Sequence, residues 1–364
     1  MSDMSSGANH DANLGTTAVR DGFGFDQGAL AKWMTEHVDG FAGTLAVEQF
    51  KGGQSNPTYR LVTPQRSYVL RRKPPGELLK GAHAVEREAQ VLTALAGTGV
   101  PVAQVYGLCT DDSVIGSWFY VMEMVEGRIF WDATIPGVPR EDRAAYFDTM
   151  NAAIAHLHCL DYVAAGLGEY GRPGNYYARQ ISRWSRQYHE DVDAGRDTGM
   201  DRLVEWLPTA IPAGDETSLV HGDFRCDNMI FHPTEPRILA VLDWELSTLG
   251  HPLADFAHHG MMYRMPPQIV AGLLGADLRE LGIPAEAEYV ERYCQRTGRA
   301  DIDGYDFAIA FNLFRLAAII HGIKGRVIRG TAASAHARER ANALPTLIAM
   351  ACDAMDACGK GTLP

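Results

Sequence analysis

The octapeptide HGDFRCDN, His221 to Asn228, packs two aspartates, an arginine and an asparagine between the lead-in Ser218-Leu219-Val220 and the short apolar run Met229-Ile230-Phe231. Carboxylates are costly to bury unless they are paired or bound to a cation, so charge held where a core strand begins has a use. After Asn228 the chain reads MIFH, PTEP and RILAVLDWE, two strands around a Pro-containing turn and hence a hairpin. Pairing His232 with Arg237 sets residue 228 roughly opposite residue 241 and brings Asn228 near Asp243. An amide oxygen and a carboxylate at the open end of one hairpin are hard donors suited to Mg²⁺. Asp223, five residues before Asn228, is then a carboxylate beside the metal that can orient a hydroxyl and accept its proton.

Around this motif the chain has ordinary globular composition, 364 residues with 46% hydrophobic and 21% charged, long enough for two lobes. The net charge of −12 leaves no basic footprint for nucleic acid, and the acidic excess lies from Glu126 onward, 32 acidic against 23 basic residues. The six cysteines form no CxxC pair and no apolar leader opens the chain, which fits a reducing cytoplasm. The most apolar stretch, Phe307 to Ile323, is interrupted by Asn312, Arg315 and His321 and reads as a buried helix, not a membrane span.

Residues 1–22 are rich in Ser, Gly, Asn, Asp and Thr and are expected to be a disordered tail. Asp26 is suited to cap a helix carrying Leu30, Trp33, Met34 and Val38. The stretch VEQFKGGQSNPTYRLVTPQRSYVLRRKP, from Val47 to Pro74, reads as three antiparallel strands. A helix from His83 to Ala96 and strands around Val102–Cys109 and Trp118–Met124 complete a five-stranded sheet with one helix. Helices dominate from Glu126, including an aromatic stripe of Tyr177, Trp184 and Tyr188 whose simpler reading is core packing.

Asp223, Arg225 and Asn228 have the spacing of the protein-kinase catalytic loop, aspartate with a basic residue at +2 and asparagine at +5. HGDFRCDN, followed by LDWE (242–245) and GHPLADFA (250–257), resembles the aminoglycoside phosphotransferase and choline kinase family. The resemblance is closest to the kinase-like domains associated with acyl-CoA dehydrogenases, and it covers nearly all the chain from about residue 25. It implies an α+β, protein-kinase-like fold: a small five-stranded antiparallel nucleotide-binding lobe over 23–125 and a larger, mainly helical lobe over 126–364. The implied reaction is ATP- or GTP- and Mg²⁺-dependent transfer of the γ-phosphate to a hydroxyl of a small molecule, aminoglycoside-like or hydroxyacyl. Asp223 and Arg225 are then catalytic, and Asn228 and Asp243 hold the metal.

The same resemblance assigns the small lobe. In SYVLRRKP, Arg71 takes the place of the kinase strand lysine and Val69 packs on adenine, with Lys73 as the alternative cation. Glu88 lies about 60° from the centre of the helix's apolar stripe and Glu86 about 100° the other way, so Glu88 is the better partner for Arg71. Gly53, Ser55 and Asn56 in FKGGQSNPTYR offer backbone N–H groups to phosphates, and Glu123 and Met124 offer hinge hydrogen bonds to adenine. Asp255 supports the catalytic loop. The few residues between Asp243-Trp244-Glu245 and GHPLADFA leave no room for an activation loop, so a protein substrate is not expected.

Three other readings compete. Arg71 and Glu88 can form an ordinary surface ion pair. His221, Asp223, Asp243, Asp255, His258 and His259 can be taken as a Zn²⁺ or Mn²⁺ hydrolase set. The chain can also be a nucleotide-binding pseudokinase or scaffold. No membrane or nucleic-acid partner is expected, and the oligomeric state is not legible.

Overall fold

The computed structural model describes residues 15–51, 56–76, 83–269, 271–332 and 337–358. These divide into two compact units, one comprising the chain up to Trp131 with Val163–Tyr170 and Asp227–Ser247, the other Asp132–Tyr162, Gly171–Cys226 and the chain from Thr248.

The first unit is built on strands β1 (Thr16–Thr17), β2 (Ala46–Phe50), β3 (Thr58–Val62), β4 (Ser67–Arg72), β5 (Val105–Cys109) and β6 (Phe119–Glu123). Among the described residues they form one six-stranded antiparallel sheet in the order β1-β2-β3-β4-β6-β5. The strand absent from the sequence reading is β1, which pairs Thr16 with Phe50 and Thr17 with Gln49. Part of the stretch expected to be a disordered tail is therefore paired into the sheet; the rest of that expectation, residues 1–14, lies outside the described residues. Two threonines suit an edge strand, and the Thr16 hydroxyl donates to Glu48 on β2 at 2.7 Å.

Helix α1 (Gln27–His37) is capped by Asp26, whose Oδ1 accepts from the Gly28 and Ala29 N–H groups. Its buried Leu30, Trp33 and Met34 pack on one sheet face with Tyr59, Leu61, Tyr68 and Leu70. Strand alternation turns Val69 and Arg71 to the other face, where Val69 lies across from Met122 and Arg71 from Tyr120. Helix α2 (Val85–Leu95) buries Val85, Ala89 and Leu92 together with Glu88.

Strands β8 (Met229–Phe231) and β9 (Ile238–Val241) form the expected hairpin and belong to this unit. Reciprocal bonds of 2.8 Å between Phe231 and Arg128, and one from Val241 N to Pro101 O, attach the hairpin to the sheet unit's own chain. The unit therefore takes in Asp227–Ser247 instead of ending at Val125. The hairpin register also departs from the expectation. His232 does pair with Arg237, but an irregularity between Ile230 and Phe231 advances the pairing by one, to Met229 with Val241. Asn228 consequently faces Leu242, whose N–H donates to its carbonyl at 2.8 Å.

The second unit holds α3 (Arg140–Cys159), α4 (Tyr176–Glu190), α5 (Thr198–Trp206), α6 (Pro252–Gly260), α7 (Glu286–Thr297), α8 (Tyr305–Ile328) and α9 (Leu344–Cys358), with a short ribbon of β7 (Ser218–Val220) and β10 (Thr248–Gly250) packed against α3 and α6. Helix α8 is long and apolar enough to cross a membrane by composition, yet 72% of its most apolar window is buried within the protein. Tyr177 is part of the same core, edge-on to Phe307 and Phe311 at 5.1 Å. Tyr188 is buried as well, whereas Trp184 is only half-buried.

Candidate active site

In the sheet unit, the face carrying Val69, Arg71, Tyr120 and Met122 walls a cavity of about 520 Å³. Ala103, the stretch Glu123–Gly127, and Asn228, Ile230, Val241 and Asp243 of the hairpin also line it. Its surface is mostly apolar with a few convergent polar groups, the usual make-up of a small-molecule site.

The polar centre is Arg71. Its Nε lies 2.8 Å from Glu88 Oε2, and one terminal nitrogen lies 2.8 Å from Asp243 Oδ1 and 3.4 Å from Glu245 Oε2. Glu88 accepts further hydrogen bonds from Asn56 Nδ2 at 2.7 Å and the Tyr120 hydroxyl at 3.1 Å. Burial opposes the charge on Arg71, but the three carboxylates and Tyr120 outweigh it and keep it a cation. For Glu88, burial raises the carboxyl, Arg71 pulls it down, and the nearby Asp243 and Glu245 charges add to the rise, which leaves it pushed up to about 7. Glu88 is buried and Arg71 is largely covered, so the surface-pair reading does not describe the pair.

Lys73, the alternative cation, has a different partner. Its Nζ sits 2.9 Å from Glu86 and 3.9 Å from the centre of the Trp118 ring. Arg71→Ala strands Glu88, which is 2% exposed, and is expected to lower stability by about 3–5 kcal/mol. Lys73→Ala removes a partly exposed pair and is expected to lower it by less than about 1 kcal/mol. Denaturant unfolding of the two variants side by side checks the contrast.

The other residues expected to hold nucleotide divide. Val69, Glu123 and Met124 line the cavity. The Glu123 N–H is committed to Gln104 O at 2.8 Å and is not the group that residue offers to a ligand. The Asn56 side chain is buried and spent on Glu88 and on His83 Nδ1 at 3.0 Å, so it braces the arginine's partner. Gly53 and Ser55 lie outside the described residues. Asp243 follows Leu242, the residue opposite Asn228, and takes a left-handed backbone with φ 63°, a region aspartate tolerates better than most residues.

In the helical unit, the loop after β7 is gripped by one turn of α6. Asp255 accepts from the backbone N–H of His221 and of Gly222, both at 2.8 Å. His259 Nδ1 donates to Phe224 O at 3.0 Å, so its Nε2 accepts from the Tyr289 hydroxyl at 2.6 Å; burial lowers its pKa to about 4 and keeps it neutral. His258 Nε2 lies 3.1 Å from Asp223 Oδ1. The Arg315 guanidinium on α8 donates to Gly222 O at 2.7 Å, and His221 Nδ1 accepts from the Asp223 N–H at 3.2 Å. Arg225 Nε also lies 3.1 Å from Asp223 Oδ1. Burial pushes the Asp223 carboxyl up, but the His258 hydrogen bond and the Arg225 charge outweigh it and hold it well below the usual range. A small cavity beside Asp223 and Arg225 is walled by Met261, Met262, Met265 and Leu316.

Asp255 was legible as loop support, whereas the roles of His258 and His259 were not. The signal was their spacing, three and four residues after Asp255 on one helix face. Both histidines and Asp255 are engaged by protein groups, and among the described residues no three of His, Cys, Asp or Glu are arranged to hold a metal.

Burial raises the Asp255 carboxyl, but His158 at 3.2 Å and the loop N–H groups bring it far below the ordinary 3.8. Its folded-state pKa is depressed, so its contribution is full above 3.8 and is lost as pH falls toward the folded value. Asp255→Asn is expected to destabilise by roughly 1.5–3 kcal/mol at pH 7, with the gap to wild type narrowing below about pH 4. Thermal unfolding across pH 3–8 reads the difference.

Comparison with known proteins adds three findings. A profile of the phosphotransferase enzyme family matches residues 46–311. Mouse acyl-CoA dehydrogenase family member 10 is 41% identical over 341 residues, covering 93% of this chain and 32% of that protein. Rat acyl-CoA dehydrogenase family member 11 is 40% identical over 348 residues, covering 93% and 44%. The chain thus spans less than half the length of these curated relatives. Among solved structures, a Ralstonia eutropha protein assigned as an aminoglycoside phosphotransferase is 52% identical, with TM-score 0.85 over 92% of this chain and 99% of that one. A thermostable mutant of aminoglycoside phosphotransferase APH(4)-Ia, in ternary complex with AMP-PNP and hygromycin B, shares the fold at TM-score 0.58 and 15% identity over 92% of this chain and 99% of that one.

Proposed function

Since this chain belongs to the phosphotransferase enzyme family, we propose that it transfers the γ-phosphate of ATP to a hydroxyl group of a small molecule. The observation that carries this reading is Arg71 held by Glu88 in the same cavity that Asn228 and Asp243 line. ATP as donor is supported by the AMP-PNP complex of the fold relative.

The donor set fits Mg²⁺: Asn228 faces Leu242, the residue before Asp243, so the open end of one hairpin contributes an amide oxygen and a carboxylate to the same cavity, hard ligands of the kind that share the ion with phosphate oxygens and water. When bound, the ion neutralises phosphate charge. Arg71 binds the nucleotide phosphates, and Glu88, Asn56 and Tyr120 keep its guanidinium in place. Val69 and Met122 pack on the base. Asp223 orients the acceptor hydroxyl and takes its proton as the oxygen–γ-phosphorus bond forms. The bond from the γ-phosphorus to the β–γ bridging oxygen breaks, and ADP leaves with that electron pair. Arg225, beside Asp223, offsets charge on the transferred phosphoryl group.

For the acceptor, the walls next to Asp223 favour an apolar neighbourhood around the hydroxyl. Met261, Met262, Met265 and Leu316 bring no carboxylate with which to bind a polycation. The curated relatives are acyl-CoA dehydrogenase family members, and both points favour a hydroxyacyl or hydroxy-acid acceptor over an aminoglycoside. ADP release, followed with hydroxyacyl thioesters, free hydroxy acids, choline-like amines and aminoglycosides, tests this. Turnover with the acyl class is expected, and turnover with aminoglycosides alone would reverse the acceptor assignment.

A further inference from the structure

The loop carrying Asp223 is held at three points by one turn of α6, and only one of them reaches a reacting group. Asp255 binds the backbone before Asp223 and His259 the carbonyl after it, but His258 touches the Asp223 carboxylate itself. His258 also lines the apolar cavity beside that carboxylate, so it faces the space assigned above to the acceptor. The His258 and Arg225 contacts converge on the same carboxylate oxygen, Oδ1. A carboxylate that serves as base must hold one oxygen still while the other meets the hydroxyl, and fixed geometry of this kind is worth a large factor in rate.

We propose that His258 is a positioning residue for Asp223: its neutral Nε2–H fixes Oδ1 so that the other oxygen receives the acceptor proton, and protonation of His258 weakens the base. The inference rests on the phosphotransfer reading for its kinetic part only. The ionisable groups around His258 are Asp223 and Arg225, with His221 behind them on the loop, Arg315 from α8, and Asp255 and His259 from its own helix. Burial lowers the imidazole below its ordinary 6.5 against the pull of Asp223, and Arg315 lowers it further. At neutral pH the ring is therefore the neutral donor. At acid pH an imidazolium would hold the carboxylate as an ion pair and reduce its capacity to accept a proton.

The test compares kcat against pH for wild type, His258→Gln and His258→Leu, with the titration of His258 followed by NMR in wild type and in Asp223→Asn. Glutamine keeps a donor near the Nε2 position but does not titrate; leucine has no donor. His258→Leu is expected to lose about tenfold or more in kcat with the KM for ATP unchanged. His258→Gln is expected to recover part of that loss and to lack the acid limb of the wild-type profile. Removing the carboxylate in Asp223→Asn is expected to lower the His258 pKa. An unchanged kcat in His258→Leu, or a persisting acid limb in His258→Gln, overturns the proposal. The NMR arm needs no acceptor: a His258 pKa that Asp223→Asn leaves in place overturns the inference even where no acceptor turns over. Absence of all transfer by wild type, with the titration shifting as expected, counts against the phosphotransfer reading alone.

Discussion

Asp223→Ala is expected to lower turnover by roughly 10²–10⁴-fold and to leave ATP affinity close to that of wild type. The size follows from the role: general-base assistance is realised as the proton moves, so its loss appears in kcat and not in ground-state binding. The specificity follows from location, because Asp223 belongs to the helical unit and the cavity proposed for the nucleotide is lined within the sheet unit. Loss of the loop is a weak competing explanation. Asp255 and His259 hold the loop through the backbone of residues 221, 222 and 224, bonds that an alanine at 223 leaves in place. Steady-state kinetics paired with ATP titration separates the cases. A variant within about threefold of wild-type turnover, well under the loss expected of a general base, removes Asp223 from the chemistry.

Asp243→Asn is expected to weaken Mg²⁺-nucleotide binding by at least about 100-fold while hardly changing the affinity for metal-free ATP. Asparagine is the informative replacement because Asp243 sits at φ 63°, where asparagine is at ease and alanine is strained. The change therefore removes one charge without adding a backbone penalty. It also frees Arg71 of a partner at 2.8 Å, but Glu88 still holds the guanidinium through Nε, so the cavity wall persists. Titration calorimetry with and without Mg²⁺ makes the distinction. Equal losses in the two conditions would assign Asp243 to Arg71 alone, with no part in holding the ion.

The sequence carried the parts of this fold that rest on local periodicity. Asp26 followed by Leu30, Trp33 and Met34 specified a capped helix, and alternation in SYVLRR separated Arg71 from the core face of β4. Helical geometry chose between Glu88 and Glu86 correctly, because a one-turn helix phase decides which carboxylate reaches the sheet. The missed features depend on distant partners. β1 is two residues of unremarkable threonine, defined by pairing with β2 more than thirty positions away. The hairpin register slipped by one because nothing local marks the irregularity at Ile230 and Phe231. The Asn56 side chain supports Glu88, a contact across thirty-two positions that no local pattern marks. His258 and His259 were visible only as possible metal ligands until the loop they grip was in place.

The proposed phosphoryl transfer requires that the cavity around Arg71, Asn228 and Asp243 bind ATP with Mg²⁺. Calorimetric titration of ATP into the full chain, with and without Mg²⁺, tests it most directly. Saturable one-site binding that Mg²⁺ tightens is the predicted result. No binding of ATP in either condition would overturn the phosphotransfer reading and leave the cavity without its assigned ligand.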